Sequence, residues 1–377
     1  MIRRASPALG LLLVGCSVGP DLLSSSHLAY NEAIHRAQHE EFLLNLVRMR
    51  YGEAPSFLGV DAISAQFEFE AEVGGEFGLV EGESSRFGAP RIGYADRPTI
   101  TFIPRRDEDF VRRFTEPLSV ETLFRMVRST SDVGRFFGIV VLRMNGLVNR
   151  HLGGSPDFER AVALMVSLYD AGDLRIGFEE QHVAASEPFP SANVTPAQHL
   201  EAAKLSQRIR DRGDGSSELV LTGSVPMLWI RSGTPAGAEL RALLGLRADL
   251  ETFAVREGQR DRSEEPRDHI AVELRSVGGS MQVIAHAIEV PEEDLQRGFV
   301  MPDAVSESVR TYFAVHSSGP DLGEPGLRVS YRGHEFHLSD ADRESKRTFM
   351  LFAALLHYQV ASKAGQRAPV LTLGVGR

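Results

Sequence analysis

The stretch RVSYRGHEFHLSDADRESKRTF, Arg328 to Phe349, holds two histidines, two aspartates and two glutamates. Such a group could ligate a metal, or pair carboxylates for acid–base hydrolysis of a glycan. The local pattern argues for structural roles instead. Arg332-Gly333 reads as a two-residue hairpin turn, with glycine where a positive φ is needed. Pairing about that turn sets Tyr331 opposite His334, Val329 opposite Phe336 and Leu327 opposite Leu338, and these six form a largely apolar face. Ser330–Glu335 and Arg328–His337 form the other face, so His334 and His337 point to opposite sides. HEFH also lacks the helical spacing of HExxH, which puts both histidines on one face. Ser339 or Asp340 can cap the following helix, with Asp342 and Glu344 in its first turn, where the helix dipole favours carboxylates. Asp340 and Asp342 remain the acids for an alternative reading as an envelope hydrolase.

Other chemistry-bearing residues are sparser. His35 and His39 stand at i, i+4 with Glu32 one turn earlier, a spacing that can hold zinc, but no third ligand is identifiable. Glu68, Glu70 and Glu72 fall on one side of an alternating strand and read as a solvated face that discourages edge pairing. Arg105, Arg106, Arg112 and Arg113 could gather an anion, but Asp107, Glu108 and Asp109 interleave with them and favour local ion pairs. Gly278-Gly279-Ser280 opens a helix as a turn and cap, or could cradle an anion. Trp229 sits in an apolar strand and reads as core. There is no GxSxG, Walker A loop or GxGxxG. No cofactor and no metal site is expected, and no catalytic residue is assigned.

The elements that position these residues indicate an α+β chain of mixed or antiparallel sheets with packed helices. Helices are expected at Leu28–Tyr51, on either side of Pro117, and at Pro156–Asp170, Pro196–Arg210, Ala236–Leu246, Ser280–Ile288 and Ser339–Ser362. Ser119 is expected to cap the helix after Pro117. Strands are expected over Ile63–Val73, Thr99–Ile103, Phe136–Leu142, Asp173–Phe178, Leu219–Thr222, Met227–Arg231, Thr252–Val255, Ile270–Leu274 and Val370–Leu373. Two glycine-rich stretches, Gly74-Gly75 and 81–93, and the polar segment 181–195 read as loops. The charged run 256–268 reads as an exposed hairpin tip or hinge.

The start of the chain speaks to location. Arg3 and Arg4, the apolar run Ala8–Val14 and a small-residue segment ending at Cys16 have the order of a secretory signal, too short to span a bilayer. Leu13-Val14-Gly15-Cys16 resembles a bacterial lipobox, which implies that Cys16 becomes a lipidated first residue. It is the only cysteine of 377 residues, so no intrachain disulfide can form. By resemblance to lipoprotein sorting in two-membrane bacteria, Ser17 favours the outer membrane. CSVGPDL is similar to the mature start of outer-membrane efflux lipoproteins, but no sustained heptads follow. The expected organisation is a signal (1–15), a tether (16–27), an N-terminal α+β domain (28–150) and a C-terminal α+β domain (151–377) ending in hairpin, helix and strand.

Without the signal, 39 basic residues face 51 acidic ones, a charge of −12 with histidine neutral. That balance argues against a nucleic-acid partner and against a polybasic membrane footprint. The stretches LLNLVRMRYGEAPSFL, RPTITFIP, VLRMNGL, VSYRGHEFHLSDADRESKRTF and APVLTLGVG resemble a family of uncharacterised bacterial envelope proteins. That resemblance implies organisation and no catalytic residues. The expectation is therefore a lipid-anchored outer-membrane protein facing the periplasm. It would act as a non-catalytic interaction or scaffold protein with an envelope partner, the alternatives being a hydrolase or a carrier of a small ligand or lipid.

Overall fold

The N-terminal helix carries the apolar cluster that starts the core. In the computed structural model, α1 spans Val18–Arg50, and Phe42, Leu43, Leu46 and Val47 are buried in its second half. The structure describes residues 18–64, 67–72, 91–96, 99–152, 155–184, 186–205, 207–258, 266–302, 305–318 and 326–361. The signal, Cys16, Gly74-Gly75, residues 81–90 and Val370–Leu373 lie outside the described residues, while Arg91–Gly93, expected within a loop, is strand. Helix α1 starts ten residues before the expected Leu28. Pro20 falls in its first turn, where the missing N–H costs no intrahelical bond, so most of the Ser-rich segment read as a tether joins the helix.

The chain is α+β, with antiparallel and mixed sheets covered by helices. After α1 come β1 (Leu58–Ser64), β2 (Phe67–Glu72), β3 (Arg91–Asp96) and β4 (Thr99–Pro104). The alternating run expected as one strand is two, because β1 pairs with β4 and β2 with β3. Glu68, Glu70 and Glu72 lie on β2, opposite Ala95, Gly93 and Arg91. Helices α2 (Glu108–Thr115) and α3 (Val120–Thr130) flank Pro117, and the Ser119 hydroxyl accepts the Thr122 N–H at 3.1 Å as expected.

Phe136–Leu142 is not a strand. Helix α4 spans Val133–Val140 with all eight residues buried, and β5 (Val141–Met144) begins after it. A short apolar run fits a buried helix as well as a buried strand. Asp132 decides between them here by accepting the Arg135 N–H at 3.1 Å as the helix cap.

Next come β6 (Leu147–Val148), α5 (Pro156–Asp170), β7 (Leu174–Ala184), β8 (Phe189–Pro190), α6 (Pro196–Lys204), β9 (Gln207–Asp211), β10 (Ser216–Ile230) and α7 (Pro235–Leu243). Then follow β11 (Thr252–Glu257), β12 (His269–Leu274) and α8 (Val277–Ala285). The main sheet runs β6-β5-β12-β11-β10-β7, with β8 and β9 also on β10. Strands from both sides of residue 150 share this sheet, and one hydrophobic core draws on both.

The segment 181–195, expected as a loop, instead carries the end of β7 through Ala184 and then β8, and three further expectations change here. The helix from Pro196 stops at Lys204, and Gln207–Asp211 pairs with Ser217–Leu221 across a turn holding Gly213 and Gly215 at positive φ. The two strands expected at 219–222 and 227–231 are one. Pro226 fits inside it because the β11 ladder covers only Met227–Trp229, so no sheet bond is asked of its missing N–H on that side. Finally, β11 and β12 are parallel, so the charged run between them is a crossover and not a hairpin tip. Arg267 brings the chain back: it is buried, and its N–H donates to the Gly245 carbonyl at 2.9 Å.

The chain closes with α9 (Glu292–Gln296), α10 (Glu307–Tyr312), β13 (His316–Ser318), β14 (Gly326–Tyr331), β15 (His334–Ser339) and α11 (Arg343–Ala361). The hairpin has the expected register, turning on Arg332 and Gly333 at φ of 50° and 86°. Strand β13 adds to it, pairing with β15. Phe349, Phe352, Leu355 and Leu356 of α11 are buried as expected.

Candidate functional site

Helix α11 crosses beside the middle of α1, and the ribbon β1–β4 and α2 close the other sides. Between them opens a cleft of about 390 Å3. Its apolar wall is built by the buried Phe42 of α1, Phe57 just before β1 and Leu356 of α11, with the partly buried Phe110 of α2. Phe57 and Phe110 approach at 5.9 Å between ring centroids, and Phe110 stacks on Phe114 at 5.7 Å, separations at which aromatic pairs are favourable. Leu58 (47% exposed) lies next to this wall, and Phe102 (54%) shares its side of the ribbon. Met350, on the α11 side of the cleft, is 46% exposed.

The polar groups of the cleft are mostly basic. His35 and His39 stand one turn apart with ring centroids at 4.0 Å, and His39 meets Phe349 edge-on at 5.6 Å. His357 comes from α11 and Arg105 from the end of β4. The Arg105 guanidinium covers Gly59, where an added Cβ would collide with it, so the close approach depends on glycine at that position. Among the described residues Glu41 is the one acid lining the cleft, and its carboxylate accepts the Leu58 N–H at 2.7 Å. Burial pushes the Glu41 carboxyl up, against the Leu58 amide and Arg48, which pull it down.

Burial, and then the neighbouring His35, push the His39 imidazole below its ordinary 6.5. The unfolded chain therefore takes up this proton more readily than the folded one. Stability contributed by neutral His39 is lost as pH falls through 6.5 and returns as pH rises. His39→Gln is expected to flatten the acid limb of the stability profile between pH 7 and pH 5, measured as urea midpoints. An unchanged slope would mean that His39 is solvated like a surface histidine.

The sequence-singled residues scatter over the fold. His334 leaves the hairpin face towards α9, its Nε2 3.7 Å from the Asp294 carboxylate. The same oxygen accepts the Tyr51 hydroxyl at 2.6 Å, and Asp294 is buried. Burial and the Asp294 carboxylate hold Tyr51 far above the ordinary tyrosine range, so it stays a neutral donor and latches the end of α1. His337 lies on the other side, its ring 5.7 Å from that of His316. Asp342 is the cap of α11, and not a first-turn residue: it accepts the Ser345 N–H at 3.0 Å and its hydroxyl at 2.6 Å. Asp340 accepts Lys346 Nζ at 2.6 Å.

The remaining candidates have structural neighbours. Arg112 pairs with Asp109, while Arg105 turns to the cleft. Phe114 packs onto Gly278, and the Ser276 hydroxyl takes the Gly279 N–H at 2.9 Å, so the glycine pair serves helix packing and a cap. Trp229 is half-buried and not core: it lies against Gly177 with the Arg175 guanidinium 5.8 Å from its ring. Among the described residues no group of three or more histidine, cysteine, aspartate or glutamate side chains is arranged to hold a metal.

No protein-family model, curated protein or solved structure matches the chain. The cleft therefore has to be read from its own chemistry. Sequence reasoning found His35 and His39 from their spacing but missed His357 and the turn of Arg105 towards them. No local pattern encodes either, because they meet α1 only through tertiary packing.

Proposed function

We propose that the chain is a lipid-anchored envelope protein, tethered through Cys16 at the outer membrane and facing the periplasm, that works by binding and not by catalysis. The cleft between α1, α2, α11 and β1 is its binding site. The observation that carries this reading is an apolar, aromatic-lined hollow with a few polar groups around it, the form of small-molecule and partner sites in general. The carboxylates weighed for hydrolysis support the same reading, since Asp340 and Asp342 are engaged by Lys346 and Ser345.

Two measurements test it together. Cys16→Ala is expected to move the protein from the membrane fraction to the soluble fraction. A photo-cross-linking residue in place of the exposed Ala354, in the cleft, is expected to form a discrete adduct in intact envelopes. The same residue in place of the exposed Arg160 on α5 serves as the control. A membrane-bound Cys16→Ala protein would sink the anchor; no adduct at 354 above that at 160 would sink the site.

A further inference from the structure

We infer that the occupant of the cleft is a single-chain amphiphile with an anionic head, its alkyl chain along the phenylalanine wall and its head at Arg105 and the imidazoles. This rests on the binding reading above and names its ligand class. The charge arrangement points to the head. Among the described residues, the ionisable side chains lining the cleft are His35, His39, Glu41, Arg105 and His357. The only acid among them already accepts the Leu58 amide. Among the described residues no carboxylate pairs with Arg105, whose planar fork suits a carboxylate or phosphate. Among the described residues, a cationic group would meet four basic side chains and one occupied acid, and an uncharged apolar ligand would bring Arg105 no counter-charge.

The apolar wall points to the chain. Phe42, Phe57, Phe110 and Leu356 line one hollow, and the small side chains of Ala353 and Ala354 also line it and leave room within it. A volume of about 390 Å3 is at the small end of ligand sites, which suits one alkyl chain better than the two of a diacyl lipid. The open mouth keeps a charged head in contact with water, so its desolvation cost stays small.

The test uses the full chain carrying Cys16→Ala, purified without detergent. Binding is followed with the fluorescent fatty acid 11-(dansylamino)undecanoate, displaced by palmitate or by the uncharged hexadecanol. Saturable binding is expected, with palmitate displacing the probe at about tenfold lower concentration than hexadecanol. Ala354→Trp, on an exposed position, is expected to weaken both competitors by filling the cleft. Arg105→Gln is expected to weaken palmitate about tenfold and to leave hexadecanol unchanged. Thermal unfolding of each variant confirms that it folds. Equal displacement by palmitate and hexadecanol, with Arg105→Gln silent, would overturn the anionic head while the binding site stands. No saturable binding, with the adduct at 354 still forming on a protein, would overturn the amphiphile and leave the site. Loss of both would end both.

Discussion

Replacing Arg135 by alanine is expected to lower the unfolding free energy by about 3 kcal/mol or more. Arg135 is 2% exposed and ties three helices together. Its Nε donates to Asp132 at 2.7 Å, on the cap of its own helix. Nη2 reaches the Glu344 carboxylate at 2.6 Å, and Nη1 reaches the Glu344 carbonyl at 2.6 Å and the Thr348 hydroxyl, both on α11. The guanidinium also lies 5.2 Å from the ring centroid of Tyr312 on α10. Truncation removes donors from α11, opens a cavity and leaves the two acids facing each other. Asp132 and Glu344 keep some contact with water, at 24% and 46% exposure, which puts the loss at the lower end of buried ion-pair deletions. Urea unfolding measures it. Arg135→Lys, which keeps the charge but loses the planar fork, is expected to recover less than half. A loss below about 1 kcal/mol for the alanine variant would class the network with ordinary surface pairs.

The second large effect is expected at Arg275. Its Nη1 donates to the carbonyls of Ile139 and Val141 at 2.8 and 2.9 Å, and its Nη2 to that of Asn149 at 2.7 Å. The last carbonyls of α4 have no intrahelical partner, so Arg275 acts as a cap delivered from the far end of β12. It places a cation at the negative end of that helix dipole. Asn149 helps, donating its side-chain amide to Gly138 and Val141. In Arg275→Met, Val141 keeps the Asn149 bond, while Ile139 and Asn149 lose a donor in a buried setting. A loss of about 2–4 kcal/mol is expected. Faster amide exchange over Val141–Met144 should accompany it, because β5 is joined to α4 through these bonds.

Burial pushes the Arg275 guanidinium down to about 10. The unfolded chain then binds this proton more tightly than the folded one, so the cost of burying the charge is relieved only as pH rises above about 10. From pH 5 to 9 the wild-type and methionine profiles should run parallel. Diverging profiles in that range would mean that another group titrates with Arg275.

What the sequence made legible was whatever local chemistry records. Arg332-Gly333 set the hairpin register because a two-residue loop between such strands needs positive φ, which glycine readily supplies. Ser119 marked a helix start because a hydroxyl there meets a free N–H. The failures share the opposite cause. Phe136–Leu142 is apolar throughout and has no period to read, and the cap at Asp132 was the one available signal. Gly223, Ser224 and Pro226 look like breaks until the uneven ladders on the two sides of β10 are known. The parallel pairing of β11 with β12 depends on Arg267 docking against Gly245, a contact between distant residues. The cleft follows the same rule: the His35–His39 pair shows in the spacing, while His357 and Arg105 reach it only once the whole core has assembled.

Helix α1 has 33 residues, so it is a rod of about 50 Å, and Leu28 on it is 66% exposed. His39 stands 21 residues along it from Val18, about 30 Å. Were Cys16, two residues before that start, held in lipid as proposed, an upright rod would act as a boom. The cleft would sit one hydrocarbon-core thickness away from the leaflet, beyond the reach of lateral diffusion. Cargo would then have to be handed over through water or by another carrier, and the anchor would set the standoff at which that exchange takes place.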